Sequence, residues 1–166
     1  MLAQALIDAV KEAVINPVLQ VIVLTFLPLV ELRWSIPHGL LFTDLALWQV
    51  FLIAVITNIL LGLFLFWILD WVIKIFCKIP WIKKCYDYYV VRTQKRIHNA
   101  VEKYGDWGLA IFIGIPFPGS GVYSGALAAK LLGFEWKEFI LGCVVGVVIA
   151  GILVTLITTG GIAIFT

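Results

Sequence analysis

The chain has 166 residues, of which 63% are hydrophobic and 13% charged, with a formal net charge of +2 and a mean hydropathy of +1.08. One small soluble domain cannot bury this much apolar surface, so the composition excludes a soluble globular domain and predicts an integral membrane protein. The three cysteines, Cys77, Cys85 and Cys143, have neither zinc-ligand spacing nor a disulfide framework, and we expect free thiols. No metal ion, cofactor or nucleic acid is expected.

Three runs without a charged residue span 45–69, 107–129 and 139–166. Each is longer than the ~20 residues that a helix needs to cross a hydrocarbon layer of ~30 Å. The first run has tryptophans near both ends, as interfacial anchors of a transmembrane helix do. We expect plain transmembrane helices in the first and last runs.

Eight of the twelve Lys and Arg residues lie in the linker 70–104. The positive-inside rule puts this linker in the cytoplasm, and its apolar spacing predicts an amphipathic helix on the inner leaflet. The basic face is either a solvated topology signal or a binding surface for anionic lipid. Residues 1–14 carry a helical apolar stripe and predict an interfacial helix. With one span on each side of the linker, both termini would lie outside a multi-pass plasma-membrane protein.

The middle run is interrupted by GIPFPGSGVYSG, residues 114–125, which contains four glycines and two prolines. The nine residues 107–115 reach about 14 Å as a helix, which is half of the hydrocarbon thickness. A second short helix over 121–132 would then return to the same side. The pattern predicts a re-entrant helical hairpin, whose irregular backbone needs a protein partner or a water-filled cavity at that depth.

A similar segment, LPLVELRWSIPHG, occupies residues 27–39. Each segment precedes a Trp-x-x-Phe pattern and a long apolar run, at a constant offset of 88 residues, although so short a pattern can recur by chance. We therefore expect an all-α fold of two inverted repeats, each a re-entrant hairpin plus a transmembrane helix, separated by the amphipathic cytoplasmic helix. The repeats would cover about 13–69 and 107–160, with a site at the midplane between them.

The segments ELRWSIPHG and IPFPGSGVYSGALAAKLLG resemble the signature segments of the small multidrug export protein family, which is similar to the DedA, or VTT-domain, superfamily. The resemblance covers about 17–151. It implies two facing re-entrant hairpins that move lipids such as polyprenyl-phosphate carriers, with links to proton motive force and drug tolerance. It matches Glu31 to an acidic residue of the first hairpin. DedA proteins usually carry arginines in and after the second hairpin, whereas here the first cation there is Lys130.

Glu31 and Arg33 are the only charged residues between Glu12 and Asp44. Ionisable side chains inside a membrane are costly and are candidates for function by default. Glu31 is therefore a candidate proton or cation site. The alternatives are a position near the surface at a loop tip, or a mutual ion pair with Arg33.

Ser35 and Ser120 are placed to cap helices that restart after the two hairpin tips. Both helices would point their positive ends at one site, which suits an anion such as a phosphate head group. His38, Asn58, Tyr123 and Ser124 either line this site or make interhelical hydrogen bonds. The expected tip residues are Pro37, Gly39, Pro116, Pro118, Gly119, Gly121 and Gly125, and we expect the last two glycines to allow close approach to the first hairpin.

These patterns predict a transporter whose partners are membrane lipids and either a lipid phosphate or a small amphiphile. The first hypothesis is a DedA-like carrier or flippase for an anionic lipid; the alternative is a proton-coupled small multidrug exporter, and a purely structural role stays open. No base lies near Ser120 or Ser124 in the sequence, so we do not expect an enzyme. The small-residue face of Gly142, Gly146 and Ala150 serves either packing within one subunit or a homodimer.

Overall fold

The computed structural model describes residues 9–10, 13–28, 30–76, 107–115 and 121–165. Within these residues the regular structure is entirely helical, which confirms the all-α class. The six helices are α1 (Pro17–Phe26), α2 (Glu31–Phe42), α3 (Leu47–Phe76), α4 (Trp107–Gly114), α5 (Val122–Leu132) and α6 (Trp136–Phe165). The features that lie largely or wholly outside the described residues are the expected N-terminal helix, the expected linker helix, Cys77 and Cys85.

Local hydrogen bonds explain where several helices begin. The side chain of Asn16 accepts backbone N–H groups in the first turn of α1, which starts with a proline. Gln49 and Glu138 each accept the N–H of the residue three positions earlier, at 2.9 and 2.7 Å, at the starts of α3 and α6. These side chains satisfy donors that the first helical turn leaves unpaired.

Among the described residues, two helices are long and apolar enough to cross a membrane, over Leu47–Ile73 and Trp136–Gly161. They correspond to the first and last uncharged runs. The two helices pack side by side in opposite directions. Phe66 stacks on Phe139 with ring centroids 4.2 Å apart, and farther along, a Cβ added to Gly151 would lie 2.8 Å from Val55.

The middle uncharged run forms two short helices, α4 and α5, and not one long span. Helix α4 lies parallel to α6, and α5 lies parallel to α3. Because α3 and α6 are antiparallel, the two short helices run in opposite directions. Val122 at the start of α5 packs beside Gly62, and Lys130 near its end pairs with Asp70 at 2.6 Å. The sequence thus correctly predicted a break in this run, although residues 116–120, with Pro116, Pro118, Gly119 and Ser120, lie outside the described part of the chain.

The first two helices also run in opposite directions. The hydroxyl oxygens of Thr25 in α1 and Ser35 in α2 lie 2.7 Å apart, while Val21 packs against Gly39. The order short, short, long therefore occurs twice along the described chain. The short helix that precedes each long helix packs against the other long helix too: α2 contacts α6, and α5 contacts α3.

The expected position of the first tip is wrong. The turn includes Leu27, Pro28 and Val30, and α2 begins at Glu31 and continues through Ser35, Pro37 and Gly39. Ser35 bonds to α1 and is not an N-cap. A proline inside a helix removes one backbone hydrogen bond, which neighbouring helices can compensate in a membrane protein, so the helix does not stop there.

The small-residue face of α6 packs within the chain, which confirms the first of its two interpretations. A Cβ on Gly142 would lie 2.9 Å from the end of the Leu109 side chain, and one on Gly146 would lie 2.7 Å from the carbonyl oxygen of Ala110. Both neighbours belong to α4. The glycines therefore let α4 and α6 approach closely.

We expect Gly146→Ala to lower the free energy of unfolding by about 1–3 kcal/mol, since the added methyl group would overlap a backbone atom. Gly142→Ala should cost less, because the Leu109 side chain can rotate away. Gly160→Ala is the control, since that glycine has open space around it. Denaturant titration in detergent micelles measures all three, and equal losses for Gly146→Ala and Gly160→Ala would contradict this packing.

Candidate functional site

The side chain of Glu31, at the start of α2, reaches the start of α5. Its Oε2 accepts the backbone N–H of Val122 at 3.3 Å, and its Oε1 accepts that of Tyr123 at 3.4 Å. Glu31 is only 5% exposed. A carboxylate in this place satisfies unpaired N–H groups and interacts favourably with the positive end of the helix dipole. Glu31 therefore acts as the N-cap of a helix in the other half of the chain.

Gly121 makes this contact possible. It occupies the cap position of α5, with an extended backbone at φ −93°, and it has no side chain that could accept the N–H groups itself. A Cβ there would overlap both carboxylate oxygens of Glu31. The close approach to the first hairpin expected at Gly121 is therefore present. A glycine is needed there because a side chain would not fit beside the Glu31 carboxylate, whereas the extended backbone is one that other residues also adopt. At Gly125 the expectation is wrong, because its neighbour is Ile113 of α4 in the same hairpin.

The backbone of Glu31 is unusual. Its φ of 47° is the only positive φ of a non-glycine residue in the described chain. The left-handed region costs roughly 1–2 kcal/mol for a residue with a Cβ, and such strain persists only where the surroundings enforce it. Here the turn between α1 and α2 and the two bonds to α5 fix the residue.

Arg33 connects the same carboxylate to the second hairpin. Its Nη1 lies 3.5 Å from Oε2 of Glu31, and its Nη2 donates a hydrogen bond of 3.1 Å to the carbonyl oxygen of Ile115, just after α4. The mutual ion pair considered from the sequence therefore exists. The Glu31 carboxylate itself is buried between the two halves.

Tyr123 also joins the two halves, because its hydroxyl donates to the carbonyl oxygen of Phe26 at the end of α1. Ser124, one residue later, bonds at 3.1 Å to the carbonyl oxygen of Gly121 in its own helix. Tyr123 therefore belongs to the contact around Glu31, whereas the hydroxyl of Ser124 is used within α5.

Ser35 and His38 lie one and two turns farther along α2 than Glu31. His38 is 2% exposed, and its Nε2 lies 3.0 Å from Oε1 of Gln20 in α1. Ser35 meets Thr25 of the same helix. Gln20 and Thr25 were not expected from the sequence. The only available signal was that they are polar residues in a mostly apolar stretch, 13–30, that holds no charged residue.

Asn58 lies on α3, one turn before Gly62, and is 1% exposed. Its Oδ1 has no hydrogen-bond partner among the residues that the structure describes. The interhelical hydrogen bond considered for Asn58 is therefore not made by this oxygen. A buried acceptor without a donor costs about 1–3 kcal/mol. Since Gly62 packs beside the start of α5, Asn58 lies near the level where that helix begins.

The arrangement has a direct electrostatic consequence. The start of α5 is a place where an anion would bind, and the protein's own carboxylate already occupies it. In the described part of the chain no cluster of three or more His, Cys, Asp or Glu residues could hold a metal ion. The chemistry of the site is therefore that of one buried carboxylate, its two N–H donors and one guanidinium.

Gly121→Ala should destabilise the protein, because the methyl group displaces the Glu31 carboxylate from the N–H groups of Val122 and Tyr123. In the Glu31→Ala background the same change should cost little, which gives a coupling of about 1–3 kcal/mol in a double-mutant cycle. Gly160→Ala combined with Glu31→Ala is the control and should be additive. Additive effects for the Gly121 pair in thermal or chemical unfolding would rule out the contact.

The family model described as "Putative small multi-drug export protein" matches residues 31–153, which is most of the chain and includes both short helices of the site. No curated protein and no solved structure matches the sequence. The relationship to DedA proteins stays a prediction. The family description names export, and the two described helices long enough to cross a membrane agree with a membrane protein. The chain therefore belongs to the small multi-drug export protein family.

Proposed function

We propose that the protein is a proton-coupled exporter of small cationic amphiphiles in which Glu31 is the coupling carboxylate. The observation that carries this proposal is the burial of Glu31 at the junction of the two halves, where it is held by two N–H groups and Arg33. Buried ionisable groups in membrane proteins mark ion and substrate pathways. The family description, which names drug export, supports the same substrate class.

Coupling follows from the double role of Glu31. A charged carboxylate makes hydrogen bonds roughly twice as strong as a neutral group does. A proton on Glu31 removes the charge that both the start of α5 and Arg33 attract. Protonation therefore weakens the contact between the two halves, and deprotonation restores it. A cationic substrate would compete with the α5 N-terminus and Arg33 for the same charge, so proton and substrate would bind alternately.

The repeated order of helices supports a further part of this proposal. Two inverted repeats, each with a re-entrant hairpin, would bring the hairpin tips together near the middle of the membrane, as in other transporters. Val122, beside the Glu31 carboxylate, packs against Gly62, close to the middle of α3. With the basic linker in the cytoplasm, α3 would begin outside the cell and end inside.

The second candidate is a DedA-like carrier of an anionic lipid. The convergence of two helix N-termini and Arg33 favours it, since all three attract a phosphate. The carboxylate of Glu31 opposes it, because a phosphate at the start of α5 would have to displace a group of the same charge. This reason makes the cation exporter the first candidate.

The test uses the purified protein in liposomes with a pH gradient, and follows a fluorescent lipophilic cation and a trapped pH dye together. Wild-type protein should exchange protons for the cation. Glu31→Gln, which keeps the size and acceptor atom of the side chain, should slow coupled proton movement by about tenfold or more. Glu138→Gln, at an exposed cap of α6, is the matched control and should behave as wild type.

An unchanged pH profile in Glu31→Gln would contradict the coupling role. Fluorescent phosphatidylglycerol and a polyprenyl phosphate are followed in parallel liposomes. Protein-dependent movement of either lipid, without cation movement, would select the lipid carrier and reject the exporter.

A further inference from the structure

One face of α2 carries three buried polar side chains. Glu31, Ser35 and His38 follow one another at spacings of four and three residues, and their exposures are 5%, 0% and 2%. Residues at these spacings on a helix are neighbours, with Cβ atoms about 5–6 Å apart. Thr25, which is fully buried, and Gln20 face them from α1. We call Gln20, Thr25, Ser35 and His38 the polar strip.

The hydrogen bonds of Gln20 fix the state of the His38 ring. The side-chain Nε2 of Gln20 donates a hydrogen bond of 2.7 Å to the carbonyl oxygen of Val14. Its Oε1 therefore faces His38 and can only accept, so Nε2 of His38 must carry a hydrogen. In the neutral ring the lone pair is then on Nδ1. An imidazole held in this way can take up a proton at Nδ1 and give it up again from the same nitrogen, while Nε2 keeps its hydrogen bond to Gln20.

The middle of the polar strip consists of hydroxyl groups. The oxygens of Thr25 and Ser35 lie 2.7 Å apart, and Thr25 also lies 2.7 Å from the carbonyl oxygen of Val21. A hydroxyl group both donates and accepts, so it can pass a proton onward, which an apolar side chain cannot do. Ser35 is placed between His38 and Glu31 on the same face of α2.

The polar strip runs in one direction through the molecule. From Glu31 to His38 the rise along α2 is about 10 Å. The strip then reaches the half-buried Gln20, near the start of α1 and at the same end of the protein as the start of α3. The Lys130–Asp70 pair lies at the opposite end. The polar strip therefore lies between Glu31 and one end of the protein.

The charge beside Glu31 is that of Arg33, which lies on α2 itself and pairs with the carboxylate. Among the helices packed against α2, α1 (Pro17–Phe26) has no charged residue. The charged residues of α3 lie near its end and those of α6 near its start, at the end of the protein opposite to Gln20. The charged residues are Asp70 and Lys74 in the last two turns of α3, and Lys137 and Glu138 in the first turn of α6. Asp44 is an exposed residue in the connection after α2.

We propose that the polar strip is the path by which protons reach Glu31 from the side of the membrane on which α3 begins. This inference rests on the proposed function for its purpose, since an exporter driven by protons must admit them from outside. Each proton enters at the His38 ring, passes the hydroxyl groups and ends on the carboxylate of Glu31. Gln20 is a positioning residue that holds the ring.

The first test measures proton arrival without transport. Infrared spectroscopy after a rapid drop in pH follows the carboxyl band that is absent from Glu31→Gln. His38→Gln, which still bonds to Gln20 but has no second ring nitrogen, should slow this protonation by about tenfold or more. Thr25→Val should slow it as well. Thr158→Val is the matched control, because Thr158 bonds in the same way to the carbonyl oxygen of Val154.

Equal protonation rates in wild type, His38→Gln and Thr25→Val would overturn the path, whatever the protein transports. Liposomes then separate the two proposals. If wild-type protein moves no protons together with the cation, the exporter is rejected. A slowed infrared signal in His38→Gln would still support the path. A Glu31 carboxyl that never takes up a proton overturns both. Circular dichroism and unfolding of each variant confirm that the comparison is made on folded protein.

Discussion

The structure depends on one contact, the binding of the first turn of α5 by the carboxylate of Glu31. A buried helix N-terminus needs an acceptor for its N–H groups, and Gly121 at the cap position supplies none. The acceptor comes from the other half of the chain. Several other features follow from this requirement: the absence of a Cβ at Gly121, the left-handed backbone of Glu31, and the position of Arg33 between the carboxylate and Ile115.

The two ends of α5 are attached to the first half in different ways. At its end, Lys130 pairs with Asp70 and lies 3.6 Å from the ring centre of Phe66. The Asp70 side chain is 57% exposed, so this ion pair contributes little to stability. At its start, α5 is held by the buried carboxylate of Glu31. The coupling proposed for Glu31 would therefore act at the buried attachment of α5.

Much of this fold could be predicted from the sequence, and the exceptions have physical reasons. Length and apolar character are local properties, so the two long helices were predictable, and the glycines and prolines of 114–125 correctly indicated a break. Pro37 was misleading because a helix among other helices tolerates a missing hydrogen bond. The close contact at Gly121 was expected, but its partner depends on the pairing of the two halves. Gln20 could not be anticipated, since one polar residue in an apolar helix has no pattern.

Nuclear magnetic resonance of the backbone amides gives the most direct test of the central contact. If Glu31 caps α5, the amide signals of Val122 and Tyr123 should shift together as pH is lowered, with one common midpoint, and should not shift in Glu31→Gln. The amide of Val18, which bonds at 2.9 Å to the neutral side chain of Asn16, should stay unchanged. If the signals of Val122 and Tyr123 do not shift with pH, or shift equally in Glu31→Gln, the carboxylate does not bind the start of α5.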